Sequence, residues 1–413
     1  MSRFIILLGA LLAAGSAVAD SRPESFTIAE AVTLASARHP SITALEAELR
    51  AAHALSQQAG VRSPPEASAG LGYKDVETDT GYALDVELAF PIERSGKRTA
   101  RLGVAQSDLR LAEIALDQQR RDLELQVRTL AYEYLTASAD AEIAREIAER
   151  SRAMIDLLKQ RPTAGPIILL ELRVIEGSLV EFQNSAREFE AQRDAARASL
   201  NILLDRAEDA PLVLKDDLVP PANLYATPAF AARLEKRPAL LKRLVEIERA
   251  AHEAQAALLE GKPDVSVGPY LSREEAGETE TTVGLAVSMP LSWSSRNQGA
   301  IQAAQARREK AEAELNAETL AARSELARRV RLYAAAVAQV EAVPVELVES
   351  LHEAADLADR QYRLGAIPVQ LFLDMQREFL SVQLLRHNAQ LESLKMAAEL
   401  EWLAGSAAGE TAP

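Results

Sequence analysis

Cysteine is absent from the 413 residues, which excludes disulfides, a thiolate metal site and a cysteine nucleophile. Aromatic residues make up only 4%, too few to fill several compact cores. Cations are also in deficit, with 46 Lys and Arg against 61 Asp and Glu and a net charge of −15. That balance argues against a nucleic-acid partner, whose phosphates recruit Lys and Arg. No segment after the N-terminus reaches the roughly 18 consecutive apolar residues of a membrane-spanning helix. The five histidines, His39, His53, His252, His352 and His387, include no pair at helical spacing. His352 with Glu353 and Asp356 is a weak ligand pattern. The five methionines do not cluster, so neither a metal site nor a cofactor is expected. There is no Ser-His-Asp order with supporting turns and no phosphate loop, so the chain does not read as an enzyme.

Alanine, leucine, glutamate and arginine dominate, the composition of long helices. Residues 1–19 read as a signal peptide, with Arg3, the apolar run FIILLGALLAA and the small-x-small site Ala17-Val18-Ala19 before Asp20. No cysteine follows that site, so the exported chain is not expected to be a lipoprotein. Thr27 and Glu30 form a capping box for a helix expected to run to about Arg62, where Pro64-Pro65 stops it.

Two copies of one plan follow. Repeat 1, residues 20–204, carries a hairpin at about 67–90, a long helix at about 96–160 and a turn, RPTAGP, at 161–166. Leu102, Leu109, Leu116, Leu123 and Leu130 recur every seven residues in that helix, the signature of left-handed supercoiling. A proline-bearing linker spans 205–227. Repeat 2, residues 228–405, carries a hairpin at about 264–289, a helix at about 295–361 and a turn at 362–368; residues 406–413 form a tail. Landmarks recur at an offset of about 198 residues: His39-Pro40 with Arg237-Pro238, Pro65 with Pro263, Pro91 with Pro290 and Tyr134 with Tyr333. This reads as a tandem duplication. The heptad of the second long helix, Leu326, Tyr333, Val340 and Leu347, is interrupted by Pro344, read as a kink.

In YALDVELAF, Tyr82, Leu84, Val86, Leu88 and Phe90 share one strand face, and Asp85 and Glu87 lie on the other. Each half supplies two strands, so a chain has four. Four cannot close a barrel, and lipid tolerates no open sheet edge. Either the sheet is soluble, an ordinary half-buried hairpin in each half, or three chains pool twelve strands, placing the five apolar residues against lipid and the carboxylates toward a watery lumen. The loops ETDTG and REEAGETE would then face outward. Lys97, Arg98 and Arg101 would sit at the junction of sheet and helix, beside headgroups or in solvent.

Three stretches carry a resemblance: FTIAEAVTLASARHPSITALEAELRAA, FPIERSGKRTARLGVAQSDLRLAE and QYRLGAIPVQLFLDMQREFL. Together they resemble the TolC-like outer-membrane efflux channels over nearly the whole mature chain. The ERSGKRTAR stretch is most similar to the CzcC-like branch serving heavy-metal resistance-nodulation-division pumps. The resemblance implies a mainly α fold with a small β part: a homotrimer with a twelve-stranded membrane barrel continued by an α-barrel tunnel into the periplasm. It implies a periplasmic adaptor and an inner-membrane pump as partners, and passive conduction of heavy-metal cations as the function. A drug-efflux channel, a type I secretion channel and a soluble periplasmic coiled-coil adaptor remain the alternatives. By the same resemblance, Thr163, Ala164, Gly165, Leu364, Gly365 and Ala366 match adaptor-contacting tips, and Asp374 matches a periplasmic gate position. A second gate position is Leu371 here, which departs from the acidic pattern.

Overall fold

The computed structural model describes residues 24–76, 79–93, 96–160, 166–220, 237–276, 278–290 and 297–404. The signal segment, the first tip with Thr163, Ala164 and Gly165, part of the linker and the tail lie outside the described residues. In chain order the elements are β1 (Glu24–Phe26), α1 (Ile28–Arg38), α2 (Pro40–Ala59), β2 (Glu66–Val76), β3 (Asp79–Ile92), α3 (Lys97–Lys159), α4 (Pro166–Leu203), β4 (Leu212–Leu214), α5 (Pro238–Glu260), β5 (Val265–Ala276), β6 (Glu278–Ser288), α6 (Gln298–Ala342), α7 (Val345–Arg363) and α8 (Val369–Ala404).

The capping box at Thr27 forms as expected: the Glu30 amide donates to Thr27 Oγ1 at 3.2 Å and the Thr27 amide to Glu30 Oε2 at 2.8 Å. The first helix does not run on to Arg62. His39 is extended, with φ −63° and ψ 128°, because the residue before a proline is pushed out of the helical region. Pro40 then opens α2 at the position where its missing N–H costs nothing. Arg237 before Pro238 adopts nearly the same angles, φ −61° and ψ 131°.

The 63-residue α3 is the spine, about 95 Å long at 1.5 Å per residue. Near its N-terminus it packs on α2 and α5: Arg110 meets Glu248 at 2.5 Å, Arg249 meets Asp108 at 2.6 Å and Arg120 meets Glu46 at 3.1 Å. Its C-terminal part packs on α4, α7 and α8 around Met154, Ile175, Phe182, Phe372 and Leu373, all nearly inaccessible. Ala131, Ala137, Ala141, Ala144 and Ala148 of α3 are buried. Such small side chains let helices approach closely, and they explain how so few aromatics suffice.

The second long helix is broken, not kinked. Pro344 ends α6 and becomes the N-cap of α7, with Val343 at φ −121° and ψ 77°. Pro344 offers no N–H to Val340, whose carbonyl accepts from Val343 instead, at 3.2 Å. The Val343 carbonyl receives the Arg386 guanidinium from α8. The break also moves the heptad by one residue: Leu347 is exposed, and Val348, Ala355 and Tyr362 take the buried seam. A salt-bridge link holds α6 to α8, where Arg329 binds both Glu325 and Glu399.

The two hairpins join through β3 and β5 into one antiparallel sheet, order β2-β3-β5-β6. The strands are slightly longer than the alternation alone suggested. A separate parallel pair, β1 with β4, ties the N-terminal segment to the linker. Gly268 is demanded by space: a Cβ there would lie 1.6 Å from the Leu88 carbonyl oxygen.

Two outcomes are expected. Gly268→Ala forces β3 and β5 apart, lowering stability by about 1–3 kcal/mol as in other overpacked sites; denaturant unfolding followed by strand circular dichroism reads this. Hydrogen bonds from Arg328 and then Arg329 depress the Glu325 carboxyl to about 2 from 4.5. A carboxyl depressed on folding stabilises above its unfolded value and loses that contribution as pH falls through the folded value. Glu325→Gln should therefore flatten the acid loss of stability between about pH 4.5 and 2, measured by thermal melts across that range.

Candidate functional site

Residues opposite one another across an antiparallel pair share a face, and the register sorts the sheet into two. One face joins Tyr73 with Tyr82, Leu71 with Leu84, Val86 with Leu271 and Val283, and Phe90 with Val267 and Val287. Tyr82, Leu84, Val86, Leu88 and Phe90 are all exposed, Tyr82 at 68% and Phe90 at 47%; on β6, Leu285 is 76% exposed. The rings of Tyr73 and Tyr82 meet edge-on at 5.9 Å. From Tyr82 to Phe90 the apolar band is about 27 Å along the strand. On β5 the band is shorter, because Arg273 lies opposite Leu84 and ion-pairs with Glu275 at 2.6 Å.

The other face carries Asp85 opposite Gly70 and Ser272, Glu87 opposite Tyr270, and Glu274 opposite Glu280. The structure thus separates Asp85 and Glu87 from the five apolar residues, as the alternation required. At the end of the sheet continuous with the helices, Lys97 pairs with Asp264 at 2.8 Å and Arg101 with Glu93 at 2.8 Å. Arg101 also donates to the carbonyls of Ala59 and Val61, both at 3.0 Å. These two cations fasten sheet to helices; Arg98 has no such partner among the described residues.

The second tip joins α7 to α8 at the far end of the bundle. Gly365 has φ +72°, a left-handed conformation that glycine adopts without steric cost. Its amide donates to Tyr362 at 2.9 Å, and the Ala366 amide donates to Gln361 at 3.0 Å, which satisfies the last carbonyls of α7. Leu364, Gly365 and Ala366 are exposed. Beneath them Tyr362 stacks on Phe372 at 5.4 Å and donates to Glu171 of α4 at 3.1 Å.

Asp374 is half-exposed on a stripe of α8 with Leu371, Glu378, Ser381 and Leu385. The Gln370 amide donates to it at 2.9 Å and the Arg377 guanidinium lies 3.8 Å away. Arg377 also binds Glu181 at 3.0 Å and Ser178 at 2.8 Å on α4. The residue on the outward stripe one turn before Asp374 is the apolar Leu371, 44% exposed.

Sequence reasoning missed a buried polar pair. His387 Nδ1 of α8 donates to Asp140 Oδ1 of α3 at 2.5 Å, and the Gln383 amide donates to His387 Nε2 at 2.8 Å. It pins α8 to α3 from positions far apart in the chain, so no local pattern announces it. Among the described residues no group of three or more His, Cys, Asp or Glu is arranged to hold a metal ion.

Comparison with known proteins matches these features. The cobalt-zinc-cadmium resistance protein CzcC of Cupriavidus metallidurans is 24% identical over 289 residues, covering 70% of this chain and 68% of that protein. The crystal structure of the outer membrane protein VceC of Vibrio cholerae superposes with a TM-score of 0.73 at 19% identity, covering 92% of this chain and 96% of that one. A crystal structure of CusC superposes with a TM-score of 0.75 at 15% identity, covering 92% of each chain. The fold is therefore that of the TolC-like channels, mainly helical with a small sheet. The outer membrane efflux protein pattern matches twice, over residues 31–205 and 231–406, and the chain belongs to that family of channel proteins.

Proposed function

We propose that the protein is the outer-membrane channel of a tripartite efflux system, working as a homotrimer. The observation that carries this reading is the four-stranded sheet. Its outer strands β2 and β6 pair on one side only, and its broad apolar face is exposed. Among the described residues no helix is long and apolar enough to cross a membrane, so the sheet is the element suited to lipid. Three sheets joined β6 to β2 give twelve strands and leave no edge. Tyr82, Leu84, Val86, Leu88 and Phe90 then face lipid, and Asp85 and Glu87 face the lumen. Export by a cleavable signal peptide, without a lipid anchor, fits this location.

The helices extend the barrel into the periplasm as a tunnel. Conduction is passive and the energy comes from an inner-membrane pump of the resistance-nodulation-division class, reached through a periplasmic adaptor. The tips, Thr163, Ala164, Gly165, Leu364, Gly365 and Ala366, contact that adaptor. The described tip supports this reading, since its backbone is satisfied internally while its side chains are exposed. A tandem duplication underlies the plan, supported by the double family match and the like angles at His39 and Arg237. Heavy-metal cations are the cargo, supported by the likeness to the cobalt-zinc-cadmium resistance protein.

Asp374 acts as a periplasmic gate residue, three copies ringing the axis with Arg377 tempering their charge. Asp374→Asn leaves Arg377 less balanced, so cation selectivity and divalent block should fall in planar-bilayer recordings. Unchanged selectivity and block would remove Asp374 from the gate. In cells lacking their own channel, expression of the protein with its pump and adaptor should lower accumulated zinc and cobalt. Unchanged accumulation with the trimer present would refute metal cargo.

A further inference from the structure

Three cations stand exposed where the sheet meets the helices. Arg62 lies between α2 and β2, Arg98 in the first turn of α3 just after β3, and Lys262 between α5 and β5. None has a side-chain hydrogen bond or ion pair among the described residues, in contrast to Lys97 and Arg101 beside them, which hold the joint together. Arg98 even sits at the end of α3 where the helix dipole disfavours a cation.

Exposed carboxylates stand beside these cations at the joint, Glu66 and Glu260, and carboxylates crowd the opposite end of the sheet. Asp75, Glu275, Glu278 and Glu280 are exposed there, and Arg273 is paired with Glu275. Between the two ends runs the apolar band, and Val61, Phe90, Ile92 and Met289 expose apolar surface at its basic margin. A surface that is apolar, then cationic, matches acyl chain followed by phosphate. A free anion would use the charges and leave the apolar margin without a role.

We propose that Arg62, Arg98 and Lys262 form a basic collar that binds the phosphates of anionic phospholipids in the periplasmic leaflet, fixing the depth and direction of the barrel in the membrane. The collar rests on the channel reading, which places this end of the sheet at the periplasmic side. Cations held near an anionic surface are worth about fivefold in affinity each, and salt screens them.

The purified full-length protein is titrated with phosphatidylglycerol or phosphatidylcholine in mixed micelles, and bound lipid is counted by native mass spectrometry. The wild type should prefer phosphatidylglycerol, and the preference should shrink on raising salt. The triple variant R62Q/R98Q/K262Q should lose it, each single variant by about fivefold. The single variants carry the test if the triple variant does not fold. Equal binding of the two lipids by the wild type, or an undiminished preference in the variants, overturns the collar. Displacement of phosphatidylglycerol by an equal concentration of inorganic phosphate would show a free-anion site and overturn it too. Uptake of neither lipid by the wild type would remove the channel reading along with the collar, whereas equal uptake of both removes the collar alone.

Discussion

Each backbone group on the outer edges of β2 and β6 needs a hydrogen-bond partner, and hydrocarbon supplies none. The apolar face of the sheet calls for lipid, while its edges forbid lipid unless another strand covers them. Both demands are met when sheets from several chains join edge to edge. In the proposed trimer the helices below would inherit that arrangement: α3 leaves β3 directly, and α6 follows β6, so closing the sheet would also set the helices around one axis. Lys97 and Arg101 make the joint firm by binding Asp264, Glu93 and the carbonyls of Ala59 and Val61.

The helical part is held by a different principle. It has few large side chains and many alanines, so its helices lie close and its core is a set of seams. Polar groups are admitted where they fix register: His387 with Asp140, and Arg386 with the carbonyl freed at Val343. At the lower end, the Tyr362–Phe372 stack and the Arg377–Glu181 bridge tie α7 and α8 to α4. Asp374 is joined to that network through Arg377, which connects a residue on the exposed stripe to the packing of the tip.

Period-2 alternation over Tyr82–Phe90 was enough to assign both faces of β3, and the capping box and heptad leucines located α1 and α3. Proline was harder to read. Pro40 and Pro344 both end helices that periodicity alone carries onward, because each removes an N–H and restricts the residue before it. The register after Pro344 therefore moved from Leu347 to Val348. Pairing of β3 with β5 and of Asp140 with His387 joins residues far apart in the chain, which no local pattern encodes. The tip at Leu364–Ala366 was legible as a turn because Gly365 needs its left-handed conformation; whether a partner docks there is not a property of the turn.

The most direct test of sheet closure uses isolated outer membranes, with the protein crosslinked, extracted in mild detergent and compared by gel migration with and without heating. A heat-modifiable, detergent-resistant trimer in that fraction is the result expected if β2 and β6 close on neighbouring copies. A soluble periplasmic monomer would contradict it, leaving the apolar face of β3 without lipid and the edges of the sheet without partners.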